Sequence, residues 1–168
     1  MPQRKLIDIE AYVRRSRHGP CFICQMVAGN AEHRHHIIYE DDQAIVFLNK
    51  YPTVYGYTLV APRQHREQVT HDFTLEEYLS LQRLIYRVGE ALRRAVPTER
   101  LYILSFGSQQ GNRHVHWHLV PLPPGVPYEK QQLESLNMKQ GVLQLSDEEM
   151  ADLANRIRLA MEALTPSV

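Results

Sequence analysis

Three histidines, His114, His116 and His118, recur at every second position in "GSQQGNRHVHWHLVPLPP", residues 107 to 124, behind a Gly/Ser/Gln/Asn loop. Imidazole can ligate a metal, attack an electrophilic centre or move a proton near neutral pH. On an extended strand alternate side chains share a face, so these three line up on one side at about 6 to 7 Å intervals. Val115, Trp117 and Leu119 then make the other side apolar. Burying three unpartnered imidazoles costs desolvation free energy, so the row implies a polar cleft in which each has a task. The loop before it narrows that task. Gly107, Ser108, Gln109, Gln110, Gly111 and Asn112 offer backbone N–H groups, a hydroxyl and amides, donors that suit an anionic phosphate. Phosphate beside imidazole points to phosphoryl or nucleotidyl transfer to a histidine. Two alternatives stay open: a metal centre, since His-x-His on a strand is a common zinc pair, and a row of hydrogen-bonded histidines without chemistry.

The only two cysteines, Cys21 and Cys24, form one C-x-x-C in "CFIC". They are too few for a disulfide framework and fit a metal half-site, a redox pair or plain packing.

The elements that must carry these residues are legible from periodicity. A short helix at about residues 7 to 16 should end near His18-Gly19-Pro20, and "HIIYEDDQAIVFLN" reads as two strands about Asp41-Asp42, the second with Ile45, Val46, Phe47 and Leu48. Pro52 and Gly56 mark a turn into a third strand, "YTLVAP". Residues 74 to 96 predict the main helix: Thr74 and Glu77 form a capping box, Phe73 and Tyr78 staple its entry, and Tyr78, Leu81, Ile85, Val88 and Leu92 recur on a core face before Pro97. "LYILSF" (101 to 106) and "HVHWHLV" (114 to 120) read as strands that can pair as a hairpin. A last helix starts at Ser146, with Glu149 completing a second box and Met150, Leu153, Ile157 and Leu164 on one stripe. The order β-β-β-α-β-β-α predicts an antiparallel α+β domain, not a parallel doubly wound sheet.

At 168 residues the chain has the length of one domain. Nineteen basic residues balance nineteen acidic ones, so no broad field draws it to polymeric nucleic acid or to an anionic membrane, and phosphate recognition should be local. No run of 18 apolar residues could span a bilayer, and the first twenty residues lack the apolar core of a signal peptide; the expected location is cytoplasmic.

His114-Val-His116-Trp-His118-Leu-Val resembles the His-φ-His-φ-His-φ-φ signature, φ being apolar, of the histidine triad (HIT) superfamily of nucleotide hydrolases and transferases. "CFICQMVAGN", "IIYEDDQAIVFLNKYPTVYGYTLVAPRQH" and "SFGSQQGNRHVHWH" follow in that family's order, covering about residues 21 to 124. The resemblance implies a HIT-like fold, an antiparallel five-stranded sheet with a long helix, to which residues 125 to 168 add a C-terminal helical extension. It also implies a homodimer joining two such sheets edge to edge. His116, the middle histidine, is then the nucleophile toward the α-phosphorus of a nucleotide, with water or phosphate resolving the nucleotidyl-histidine. His118 contacts the phosphate or protonates the leaving group, and His114 orients the row or ligates a metal.

By the same resemblance Gln110 and Ser108 contact the phosphates, and Asn49 holds the ribose hydroxyls. "LNKYP" is most similar to members acting on dinucleoside polyphosphates, with adenine nucleotides favoured. Phe22, Ile23 and Phe47 match an apolar base pocket, although the same side chains would serve an ordinary core. No cofactor is implied for the chemistry. In members with C-x-x-C the family zinc site implies Cys21, Cys24 and His114 as ligands, and the resemblance sets the next one at Tyr57, where others have His. Tyr57 is a poor ligand and His35 or His36 the substitutes, which favours packed, unligated cysteines. Ser105 stands where many members have Asn, the loop before His114 is about two residues shorter, and Leu122 stands where Arg is frequent; these departures bear on substrate choice.

Overall fold

The computed structural model describes residues 2–107 and 112–164. Ser108 and Gln110, two of the expected phosphate contacts, lie outside the described residues. In chain order the elements are β1 (Arg4–Lys5), α1 (Ile9–His18), α2 (Phe22–Val27), β2 (Ile37–Glu40), β3 (Ala44–Leu48), β4 (Thr58–Pro62), α3 (Leu75–Ala95), β5 (Arg100–Leu104), β6 (Trp117–Leu122), β7 (Val142–Leu143) and α4 (Asp147–Glu162), with short 3-10 turns between β6 and β7.

β2 to β6 form one antiparallel sheet in the order β2-β3-β4-β6-β5, so the hairpin of β5 and β6 returns to lie against β4. This is the α+β architecture that the element order predicts. Both capping boxes form, Thr74 with Glu77 and Ser146 with Glu149, and Phe73 meets Tyr78 edge-on at the entry of α3.

Alternation divides the sheet into two faces. Val46, Leu48, Val60, Trp117 and Leu119 point to the layer of α3 and α4, where they pack with Leu81, Ile85, Val88, Leu92, Leu153 and Ile157. Ile45, Phe47, Leu59, Ala61 and Val120 point the other way and pack with Ile23 and Met26 of α2, Val54 and Tyr57. α4 therefore lies behind the sheet, away from α2.

Several elements differ from expectation, the added strand pair β1 and β7 among them. The first helix ends at Gly19 as foreseen but begins at Ile9. α2 carries no long apolar period and is only six residues; Cys21 caps it, its sulfur accepting from Cys24 N–H at 3.5 Å. The last central strand starts at Trp117, not at His114. Its ladder with β4 stops at Val60 opposite Trp117, and the next partner for Val115 would be Pro62, which has no N–H to give. The chain instead sends Val115 N–H to the carbonyl of Arg66 at 2.7 Å.

Candidate active site

The sidedness of the histidine row survives the loss of its ladder. Val115 and Trp117 are buried on the helix-layer side, while His114 and His118 meet residues of the opposite face. His114 is wholly buried and gives its Nε2–H to the carbonyl of Pro62 at 2.7 Å. His116 gives Nδ1–H to the carbonyl of His114 at 2.8 Å. A ring that donates at Nδ1 keeps its lone pair on Nε2, so the partner assigns His116 the nucleophilic tautomer. His118 lies 4.7 Å away, centroid to centroid, and its Nδ1 is 2.6 Å from the hydroxyl of Tyr57. Ser105 closes the site from the neighbouring strand end, its hydroxyl donating to the His116 carbonyl at 2.7 Å.

Burial dominates the electrostatics. It pushes His114 down to about 4, with neighbouring His65 and His116 adding to the effect, and His118 down to about 3, with His116 again adding. His116 is lowered as well, against its hydrogen bond to the His114 carbonyl. All three imidazoles are neutral at pH 7, the form that acts as a nucleophile or a ligand.

The second cluster is also brought here. The donor atoms of Cys21, Cys24, His65 and His114 all lie within 4.8 Å of one another. Cys21 Sγ is 3.5 Å from His114 Nδ1, Cys24 Sγ is 3.6 Å from the same nitrogen and 3.4 Å from His65 Nδ1. A tetrahedral zinc with ordinary Zn–S and Zn–N bonds sets sulfur and nitrogen about 3.5 Å apart. Both rings turn Nδ1 inward and anchor Nε2 outward, His114 on Pro62 and His65 on Glu67 at 3.0 Å, the backing that holds ligating histidines. The residues fit zinc.

The cluster keeps Cys21, Cys24 and His114 of the expected set and adds a fourth donor. The fourth donor is His65, three residues beyond Pro62 at the end of β4; it is neither Tyr57 nor His35 or His36. Tyr57 is buried and engaged with His118, His35 stacks on Phe22 with centroids 5.3 Å apart, and His36 pairs with Asp147 at 2.9 Å. His65 stood in the quoted "YTLVAPRQH", but only the turn after Pro62 aims it at the thiols. The hydroxyl of Tyr57 as a partner for His118 likewise had no signal in spacing.

Asn49 sits half-buried at the end of β3, its Oδ1 accepting from Tyr51 N–H at 2.9 Å. Ile23 and Phe47 are wholly buried, whereas Phe22 is only partly covered, so of that trio Phe22 keeps surface to offer a ligand. Leu122 is buried in the sheet and offers nothing to a phosphate.

The family profile of the HIT domain matches residues 30–124. The chain belongs to the HIT domain family, whose members are in general nucleotide hydrolases and transferases. It is 32% identical over 107 residues to an HIT-like protein of Saccharolobus solfataricus, covering 60% of this chain and 73% of that one, and 27% identical over 104 residues to the protein hit of Bacillus subtilis, covering 60% and 70%. Among solved structures, a hypothetical histidine triad nucleotide-binding protein of Sulfolobus tokodaii aligns with a TM-score of 0.67 at 25% identity, over 84% of this chain and 92% of that one. A Zn-bound histidine triad family protein of Mycobacterium smegmatis shares the fold at a TM-score of 0.67 and 23% identity, over 84% and 93%.

Proposed function

We propose that the protein cleaves a nucleotide at its α-phosphorus through a nucleotidyl-histidine intermediate on His116. The observation that carries this reading is the Nδ1–H bond from His116 to the His114 carbonyl, which leaves Nε2 free to attack. The Nε2 lone pair forms the N–P bond as the bond from phosphorus to the leaving group breaks; a polyphosphate departs with that electron pair as its anion, and an amine departs with it while taking a proton from solvent. Water or inorganic phosphate then attacks the same phosphorus and returns the lone pair to Nε2. Asn49 is assigned to the ribose and Phe22 to the base. Gln110 and Ser108 are proposed to contact the phosphates, as the resemblance of their loop implies. Dinucleoside polyphosphates are the substrates most consistent with "LNKYP".

Cys21, Cys24, His65 and His114 are proposed to hold a zinc ion. Four protein donors leave no open position, so its chemistry is structural; a protein of the same fold, from M. smegmatis, is Zn-bound. The proposed homodimer rests on the outer edge of β5, which among the described residues pairs only with β6 and carries Ile103, 47% exposed.

Replacing His116 with Ala should abolish turnover of dinucleoside polyphosphates and nucleotidyl phosphoramidates while a nucleotide still raises Tm by mass action. Undiminished turnover in that variant sinks the proposal. A wild-type protein that binds nucleotide but never yields a labelled covalent adduct on quenching identifies a binding module instead.

A further inference from the structure

Tyr57 is 6% exposed and packed among Ile23, Phe47, Val54, Leu59 and Val120, so its ring has one position. Its hydroxyl lies 2.6 Å from His118 Nδ1. One proton lies between the phenol oxygen and Nδ1, and its owner decides what His118 presents to a ligand. A buried phenol O–H left without an acceptor is costly, and among the described residues the hydrogen bond of that hydroxyl is to Nδ1. The phenol's own proton is left for Nδ1.

We infer that Tyr57 is a positioning residue that fixes His118 as a neutral Nε2–H donor, so that His118 hydrogen-bonds a non-bridging phosphate oxygen and does not protonate the leaving group. The inference deepens the nucleotidyl-transfer reading and rests on it for the identity of the ligand. A neutral imidazole that accepts at Nδ1 carries its single proton on Nε2. Neighbouring rings then hold opposite tautomers: His116 offers a lone pair where His118, 4.7 Å away, offers a proton. Surrendering that proton wholly would require Tyr57 to refill Nδ1 and become a buried phenolate. Burial pushes the phenol up and holds His118 down to about 3, both against that exchange. A fixed donor aimed at a developing phosphoryl charge needs no proton transfer to stabilise it.

Two measurements test this. In the 15N spectrum of the ligand-free wild-type protein, the His118 ring should show a protonated Nε2 and an accepting Nδ1; the opposite tautomer overturns the inference. In kinetics, Tyr57→Phe should lower kcat by about 10- to 100-fold, the usual cost of losing an imidazole's backing partner, with KM little changed. The factor should be the same for a substrate with a polyphosphate leaving group and for one with an amine leaving group. An unchanged kcat overturns the inference, as does a loss confined to the amine, which would mark proton transfer. If the wild type turns over neither substrate, the parent reading fails, and the tautomer measurement still decides the role of Tyr57.

Discussion

His114 turns Nδ1 toward two thiols, gives its Nε2–H to Pro62 and lends its carbonyl to His116, so one residue ties the cysteine cluster to the proposed nucleophile. A side chain in that position is constrained from every side, which is why a wholly buried imidazole is tolerated there. His118 is held as firmly but by a phenol, and its titration has a stability consequence. In the unfolded chain a histidine takes up its proton near 6.5, whereas in the fold His118 resists until about 3. Between these values the unfolded state binds more protons, so stability is full above about 6.5 and declines as the pH falls toward 3. The loss from this one group is about 3 kcal/mol once partial solvent screening is allowed for. Thermal melts across that window should therefore show Tm falling with acid, and His118→Gln should flatten the profile. An identical slope in the variant would place the acid sensitivity elsewhere.

At the scale of elements, the histidine row is backed by a helix layer on the other face of the sheet. α4 packs Leu153 and Ile157 against α3 and the back of the sheet, and both are almost wholly buried. Ile157→Ala leaves a cavity there and should cost about 3 kcal/mol in urea unfolding, with nucleotide binding retained at low temperature. A cost below that of a surface substitution would show α4 to be dispensable. The turn into β4 is a second such support. Gly56 has φ +84°, and a Cβ there would stand 3.1 Å from Val96 Cγ2 and 3.2 Å from Pro121 Cγ. Gly56→Ala should cost about 1 to 3 kcal/mol and shift Tyr57, the next residue. These supports were the legible part of the sequence. Capping boxes, the 3,4 period of α3 and the alternation of β3 are local signals, and each marked its element. The sequence left α2 unread because six residues carry too little period and its cap is a cysteine. It also misjudged where β6 starts, because Pro62, on another strand, ends the ladder. The triad itself needed only alternation, whereas His65 and Tyr57 needed the register of β4 against β6.

For the whole molecule, β1 and β7 bring two segments far apart in sequence together at the loop that follows β3. β1 pairs with β7, Leu143 N–H reaches the carbonyl of Pro52 at 2.8 Å, and Arg4 reaches Gly141 at 2.9 Å and Thr53 at 2.7 Å, clamping the loop that follows Asn49. Arg158 of α4 caps the outer edge of β2 by donating to the carbonyls of Ile37 at 2.7 Å and Ile38 at 3.2 Å, which blunts that sheet edge against association. The proposed zinc would add the strongest long-range tie, since its donors come from the start of α2, the turn after β4 and the approach to β6. Metal bound only by the folded state stabilises by mass action, so stripping it should lower Tm by about 10 °C. One zinc per chain is expected in the purified protein, lost in Cys21→Ser/Cys24→Ser and in His65→Ala but kept in Tyr57→Phe. Because His114 carries both a ligand nitrogen and the carbonyl that fixes His116, stripping the metal should also slow adduct formation on His116. Zinc that survives His65→Ala would remove His65 from the ligand set, and a stripped protein with wild-type adduct formation would show that the two clusters share a residue without sharing a function.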